Sequence, residues 1–141
     1  MTIKDYLKQA YKLDQRIDSH LEELARLREV AFGLSSPRYG DKVQTSMDGN
    51  APFVTQIESI IRYEDRINAE IDTLVALKEQ IHETVAAVGN PRDEIMLRSR
   101  YIDGKTWEQI AASFRVDVST VYHWHREALR HLKMPDNPIV I

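Results

Sequence analysis

The sequence predicts an all-α fold: a long antiparallel helical hairpin of the coiled-coil kind, followed by a C-terminal head of three helices that contains a helix-turn-helix. Two observations lead to this prediction. Apolar residues recur in steps of three and four along two long stretches, as they do on one face of an amphipathic helix. Three shorter helical patterns then follow, and each opens with Asn, Thr or Asp, which are residue types that cap helix N-termini.

The first helix is predicted from Thr2 to about Ala31. Thr2 and Asp5 have the spacing of a capping box, and Gly33 is suited to end the helix. The seam that this helix buries is expected to consist of Ile3, Tyr6, Ala10, Leu13, Ile17, His20, Leu24, Leu27 and Ala31.

A second long helix is predicted over residues 57–88, with Thr55 and Glu58 as its capping box and Gly89 as its C-cap. Between the two helices, residues 34–52 are rich in Ser, Gly, Pro, Asp and Asn. They have no hydrophobic period and are expected to form a mobile loop.

Antiparallel pairing of the two helices places His20 near Glu64, because both fall on seam positions. The two residues either tilt toward solvent or form a buried pair that fixes the register. Residues 1–89 are therefore interpreted as a hairpin for interaction or oligomerisation. Its seam is completed either by a second chain, which gives a homodimer, or by the head.

The head is predicted over residues 90–134. Asn90 caps its first helix, which ends near Gly104, and Thr106 with Gln109 caps its second. A turn at residues 115–117 follows, with Asp117 as the cap of the last helix. The two later helices are expected to bury Trp107, Ile110, Ala111, Phe114, Val121, Trp124 (in part), Ala128, Leu129 and Leu132. The role of the tail, residues 135–141, stays open; packing of its apolar end on the head is one expectation.

Polar side chains are expected on the outward side of the last helix, where a helix in the major groove of DNA would contact base edges. These side chains are Ser119, Thr120, Tyr122, His123 and Arg126. Arg115 at the turn, with Arg130 and Lys133 further along, is better placed for backbone phosphates.

Composition excludes several other classes of protein. The net charge is −3, with 11 basic against 15 acidic residues in 1–89 and 8 against 7 in 90–141, so bulk charge does not drive nucleic-acid binding. There is no cysteine, no phosphate-cradling glycine loop and no convergent carboxylate cluster, so an enzyme, a metal site or a cofactor is not expected. No long apolar run or signal segment is present, which predicts a cytoplasmic protein without membrane contact.

The stretch from Arg98 to Lys133 resembles region 4 of bacterial sigma-70-type sigma factors. The matching pieces are Arg-x-Tyr before a Gly turn, Thr-Trp-Glu-Gln-Ile-Ala, Val-x-x-Ser-Thr-Val and the closing Arg-x-Ala-Leu-x-x-Leu. The whole chain resembles phage-encoded sigma-like proteins related to late transcriptional regulators of the ArpU and RinA kind. Arg115 stands where that family often has Gly, so a left-handed residue is expected there at a cost of about 1 kcal/mol.

The resemblance implies a phage or prophage transcriptional regulator that binds double-stranded promoter DNA through the last helix and acts with host RNA polymerase. Two alternatives belong to other classes. One is a DNA-packaging component of the small-terminase kind, and the other is a protein-interaction adaptor whose head does not read DNA. A ring-sized oligomer would favour packaging, and polymerase binding without DNA affinity would favour the adaptor.

Overall fold

The computed structural model of the protein describes residues 1–33 and 50–141, with side chains described from residue 52 onward in the second range. Within these ranges the chain forms five α-helices and no strand: α1 (Ile3–Phe32), α2 (Asn50–Ala86), α3 (Pro91–Tyr101), α4 (Trp107–Phe114) and α5 (Val118–His131). The predicted all-α fold is confirmed. The expected mobile loop, residues 34–52, lies outside the described residues except for 50–52, which belong to α2.

Three helices begin at the caps that the sequence predicts. In α1, the Asp5 N–H donates to Thr2 Oγ1 (3.1 Å) and the Thr2 N–H donates to Asp5 Oδ2 (3.2 Å). The same reciprocal pair joins Thr106 and Gln109 before α4 (3.1 and 2.9 Å). Asn90 Oδ1 accepts from two backbone N–H groups in the first turn of α3 (2.9 and 3.4 Å). These bonds satisfy N–H groups that have no partner within their helix.

The start of the second helix differs from the prediction. It begins at Asn50, so Thr55 lies inside the helix and the expected capping box with Glu58 is wrong. Pro52 is tolerated because the first-turn N–H groups of a helix have no carbonyl partner within it. Gly89 adopts a left-handed φ of 84°, three residues beyond the last helical residue.

The described residues divide into two compact units. Unit 1 comprises residues 1–14 and 73–141, and unit 2 comprises residues 15–72. This grouping follows packing; the division into hairpin (1–89), head (90–134) and tail (135–141) stays a prediction.

In unit 2 the two long helices pair antiparallel. His20 Nδ1 lies 2.6 Å from Glu70 Oε1, and Arg28 Nη2 donates to Glu64 Oε1 (2.8 Å). The later residue of α1 thus pairs with the earlier residue of α2, as antiparallel helices require. The predicted pairing of His20 with Glu64 is wrong: His20 pairs with Glu70 and packs edge-on against the Tyr63 ring (5.7 Å between centroids), while Glu64 pairs with Arg28. The His20–Glu70 pair is partly buried, with side-chain exposures of 23% and 16%.

In unit 1 the first turns of α1 and the last turns of α2 share one core with α3, α4 and α5. Its fully buried side chains come from all five helices: Tyr6, Leu7, Leu77, Ile81, Val85, Met96, Leu97, Ile110, Val121 and Ala128. Full burial of a large aliphatic or aromatic side chain stabilises a fold by roughly 1.5–3 kcal/mol. The three C-terminal helices are therefore held in place partly by residues of α1 that lie more than 80 positions earlier in the chain.

The C-terminal tail is fixed in unit 1 by two glutamine side chains. Gln9 Nε2 donates to the Ile139 carbonyl (2.8 Å), and Gln9 Oε1 accepts from the Ile141 N–H (3.0 Å). Gln80 likewise donates to the Asn137 carbonyl and accepts from the Ile139 N–H, both at 2.9 Å. Each amide thus pairs with the tail backbone as a neighbouring strand would, while Ile139 packs against the core.

Candidate nucleic-acid interface

Helices α4 and α5 are joined by a three-residue turn whose first residue is left-handed. Arg115 has φ 57° and ψ 45°, which confirms the backbone expected from its place in the sequence. Its N–H donates to the Ala112 carbonyl (3.2 Å), and the Val116 N–H donates to the Ala111 carbonyl (3.1 Å). These bonds close the end of α4 and set the direction in which α5 begins.

Asp117 occupies the N-cap position of α5, but the predicted side-chain cap is wrong. Its carboxylate makes no capping hydrogen bond, and the residue is exposed. The backbone carbonyl of Asp117 instead accepts from the N–H groups of Thr120 (3.0 Å) and Val121 (3.3 Å). The start of α5 therefore depends on backbone geometry alone.

Helix α5 separates a buried face from an exposed polar one. Val121 and Ala128 have no exposed surface, and His125 is 6% exposed. Seven of the eight predicted site residues are exposed and one, Thr120, is half-buried; the exposed ones are Arg115, Ser119, Tyr122, His123, Arg126, Arg130 and Lys133. At 3.6 residues per turn, positions 119, 123, 126 and 130 lie opposite the buried positions 121, 125 and 128. The ridge they form is the polar face of α5.

Two of the predicted contact residues have side-chain partners, and a third is partly buried. The Tyr122 ring packs edge-on against Trp107, with ring centroids 5.6 Å apart. Arg130 Nη1 donates to Glu127 Oε1 (3.2 Å), and this exposed pair is worth little energetically. Thr120 lies on the flank of α5, with its surface partly covered. Ser119, His123 and Arg126 are the most open part of the polar face.

A buried His–Tyr pair beneath α5 was not predicted. His125 Nε2 and Tyr101 Oη lie 2.6 Å apart, and the His125 ring also packs against Trp107 at 4.6 Å between centroids. Burial first, and then the charges of Lys4, Arg100 and Lys8, lower the pKa of His125 to about 4. Burial raises the pKa of Tyr101 to about 12. Both groups are therefore neutral at pH 7, and their hydrogen bond ties α5 to α3.

Arginine side chains cover the faces of both tryptophans. The Arg92 guanidinium lies 4.3 Å from the Trp124 ring centroid, and that of Arg100 lies 4.5 Å from the centroid of Trp107. Arg100 is also anchored by a bond from Nη1 to the Lys105 carbonyl (3.1 Å). Such cation–π contacts contribute roughly 0.5–2 kcal/mol each. The tryptophans act as structural residues here, as the sequence predicts.

Beside the polar face lies a groove that the sequence did not reveal. Tyr122 and Arg126 form part of its wall, and its remaining cationic residues are Lys4, Lys8, Lys12 and Arg100. The regular four-residue spacing of the lysines is visible in the sequence, but nothing local places α1 next to α5. Within the described ranges, no three His, Asp or Glu side chains converge closely enough to hold a metal ion.

These features define an all-helical protein whose C-terminal part contains a helix-turn-helix supported by the N-terminal helix. The chain belongs to a family described as "Protein of unknown function (DUF1492)", whose profile matches residues 34–133. Neither a search of curated proteins nor one of solved structures found a significant match. As far as the described residues extend, no helix is both long enough and apolar enough to cross a membrane.

Proposed function

We propose that the protein is a DNA-binding transcriptional regulator whose helix α5 enters the major groove. The observation that carries the proposal is the polar face of α5, where Ser119, His123 and Arg126 lie opposite a fully buried stripe. Hydroxyl, imidazole and guanidinium groups are all competent to hydrogen-bond to base edges. The helix is held rigidly enough to present them, because His125 and Val121 lock its other side into the core.

The resemblance of residues 98–133 to sigma-70 region 4 supports a role at promoters, and the whole-chain resemblance supports a phage or prophage regulator. On this basis host RNA polymerase is the proposed protein partner. The polar face carries few positive charges, so affinity for DNA has to be supplemented by dimerisation or by polymerase contacts. The proposed contact with polymerase is tested by measuring whether the immobilised protein retains polymerase, with and without promoter DNA.

A homodimer through the hairpin is part of the same proposal. Unit 2 leaves seven large apolar side chains exposed among its described residues: Leu21, Val30, Phe32, Phe53, Val54, Ile61 and Ile71. Val30, Val54 and Ile61 each expose more than half of their surface. A second copy is the proposed cover for this surface, because paired helices gain stability by burying such residues.

Selection from a random duplex library, followed by fluorescence anisotropy on the selected sequence, tests DNA reading. The double variant His123→Ala/Arg126→Ala should lose about 10-fold or more in affinity, since each base-reading side chain is worth ~1–3 kcal/mol. The control variant Arg62→Ala/His82→Ala removes the same two residue types from exposed positions of α2. Equal affinities for both variants, or no selected sequence at all, would overturn the proposal.

A further inference from the structure

A groove of about 760 Å³ in unit 1 lies between the N-terminal part of α1 and the flank of α5. Five cationic side chains line it, namely Lys4, Lys8, Lys12, Arg100 and Arg126, together with tyrosine, tryptophan and histidine rings. No acidic residue is among the described residues of its lining. The groove therefore suits an anion, and its charge is larger than one phosphate group needs.

The lysines follow one line along α1. They are spaced by four residues, so successive side chains stand about 6 Å apart and the three cover about 12 Å of the helix. One strand of B-DNA carries a phosphate for roughly every 3.4 Å of the duplex axis, and three to four phosphates fall within that length. A linear array of this length matches a nucleic-acid backbone, whereas a compact anion would use only part of it.

None of the ion pairs between described residues includes Lys4, Lys8 or Lys12. Asp5, next to Lys4, is engaged in the capping box with Thr2 (2.8 Å between Oδ2 and Oγ1), and Asp14, two residues after Lys12, does not line the groove. At the base of the groove, the charges of Lys4, Arg100 and Lys8 help to lower the pKa of His125, which indicates a positive potential there.

The groove is continuous with the polar face of α5. Arg126 belongs to both surfaces, since it is part of the polar face and lines the groove, and the exposed Tyr122 beside that face lines the groove as well. When a recognition helix lies in the major groove, sugar-phosphate strands run along its flanks, and Arg, Lys and Tyr side chains are common phosphate ligands there. The α1 lysines stand where such a strand would pass.

We propose that Lys4, Lys8 and Lys12 of α1 bind backbone phosphates of the DNA strand that flanks α5, so that the N-terminal helix forms part of the DNA interface. This inference rests on the proposed function. It gives α1 a role besides packing, and it supplies the positive charge that the polar face of α5 lacks. Because phosphate contacts carry no base information, the lysines set affinity and position but not sequence preference.

The test compares the salt dependence of duplex binding for three proteins by fluorescence anisotropy. The first is the wild type, and the second is Lys4→Ala/Lys8→Ala/Lys12→Ala. The third, Arg26→Ala/Arg62→Ala/Arg66→Ala, removes the same total charge from exposed positions of unit 2 that lie outside the line of lysines. Each phosphate contact adds about 0.9 to the slope of log K against log salt, so the lysine variant should lose about 2.7 from that slope. Between about 50 and 200 mM salt, the wild type should lose roughly 40-fold more affinity than the lysine variant.

The arginine variant should keep the wild-type slope, and the ratio of affinities for selected and shuffled duplexes should be unchanged in both. An unchanged slope in a lysine variant that still binds DNA would overturn this inference and leave the proposed function intact. An equal loss of slope in both variants would show that total charge, and not the position of the lysines, sets the salt dependence, and would also overturn this inference. Absence of DNA binding by the wild type at every salt concentration would overturn both. Micromolar binding of ATP that needs the lysines, with an unchanged slope on DNA, would assign the groove to a free nucleotide instead.

Discussion

Acidification is expected to destabilise unit 1 between pH 6.5 and pH 4 because of His125. In the unfolded chain this imidazole has an ordinary pKa near 6.5, while in the fold burial and neighbouring cations lower its pKa to about 4. The unfolded state therefore binds more protons than the folded state across this window. The contribution of His125 to the free energy of unfolding is fully present above pH 6.5, decreases as the pH falls, and levels off below about pH 4.

The magnitude follows from the size of the shift. One pKa unit corresponds to 1.36 kcal/mol, so the full shift sets an upper limit of about 3 kcal/mol. The imidazole borders a groove that is open to solvent, which screens part of the interaction, and a loss of about 2 kcal/mol is expected. The variant His125→Gln has no titrating group and should lack this pH dependence, although its stability at pH 7 is lower because the ring contacts with Trp107 are gone.

Urea unfolding at several values between pH 7 and pH 4, monitored by tryptophan fluorescence, measures this effect. Both tryptophans, Trp107 and Trp124, lie in unit 1, so the signal reports the unit that contains His125. The control His123→Gln removes an exposed histidine of the same helix and should follow the wild-type curve. A free energy of unfolding that depends on pH equally in wild type and His125→Gln would refute the reasoning.

Three further predictions concern single features of the fold. Arg115→Gly should stabilise the protein by about 1 kcal/mol in thermal unfolding, because glycine adopts φ 57° without a Cβ clash; an unchanged or lower midpoint contradicts this. Gln80→Ala should destabilise unit 1 by about 1–3 kcal/mol, because the hydrogen bonds of the Gln80 side-chain amide with the backbone of Asn137 and Ile139 and with the Tyr6 hydroxyl are lost. In a chain ending at Pro135 the same substitution should matter less, and an equal effect would refute the tail contact. Ile61→Glu should abolish the proposed homodimer in sedimentation velocity while Arg66→Glu, exposed on a different side of α2, should not; a wild-type monomer contradicts the dimer.

Features that depend on neighbours in the sequence could be predicted. The caps at Thr2, Asn90 and Thr106 follow from residues within three positions of each helix start. The left-handed residue at Arg115 was expected from the family resemblance, because Arg115 stands where that family often has Gly. Such features are decided by local hydrogen bonds, and the sequence contains both partners side by side.

Features that depend on contacts between residues distant in the sequence could not be predicted. The partner of His20 was misjudged because no local signal chooses Glu70 rather than Glu64. The burial of His125 was missed because its partner Tyr101 lies 24 positions away and its flanking residues look like a polar surface. A role for the α1 lysines likewise could not be predicted, because only the fold brings these residues near the N-terminus beside α5.

The central claim is that α5 reads a DNA sequence, and the ratio of two dissociation constants tests it most directly. The measurement compares wild-type binding to a selected duplex and to a shuffled duplex of equal length, at about 0.15 M salt. The account predicts a preference of about 10³-fold for the selected duplex, and a marked reduction of that ratio in His123→Ala/Arg126→Ala. A ratio near one in the wild type would show that the polar face of α5 does not read sequence.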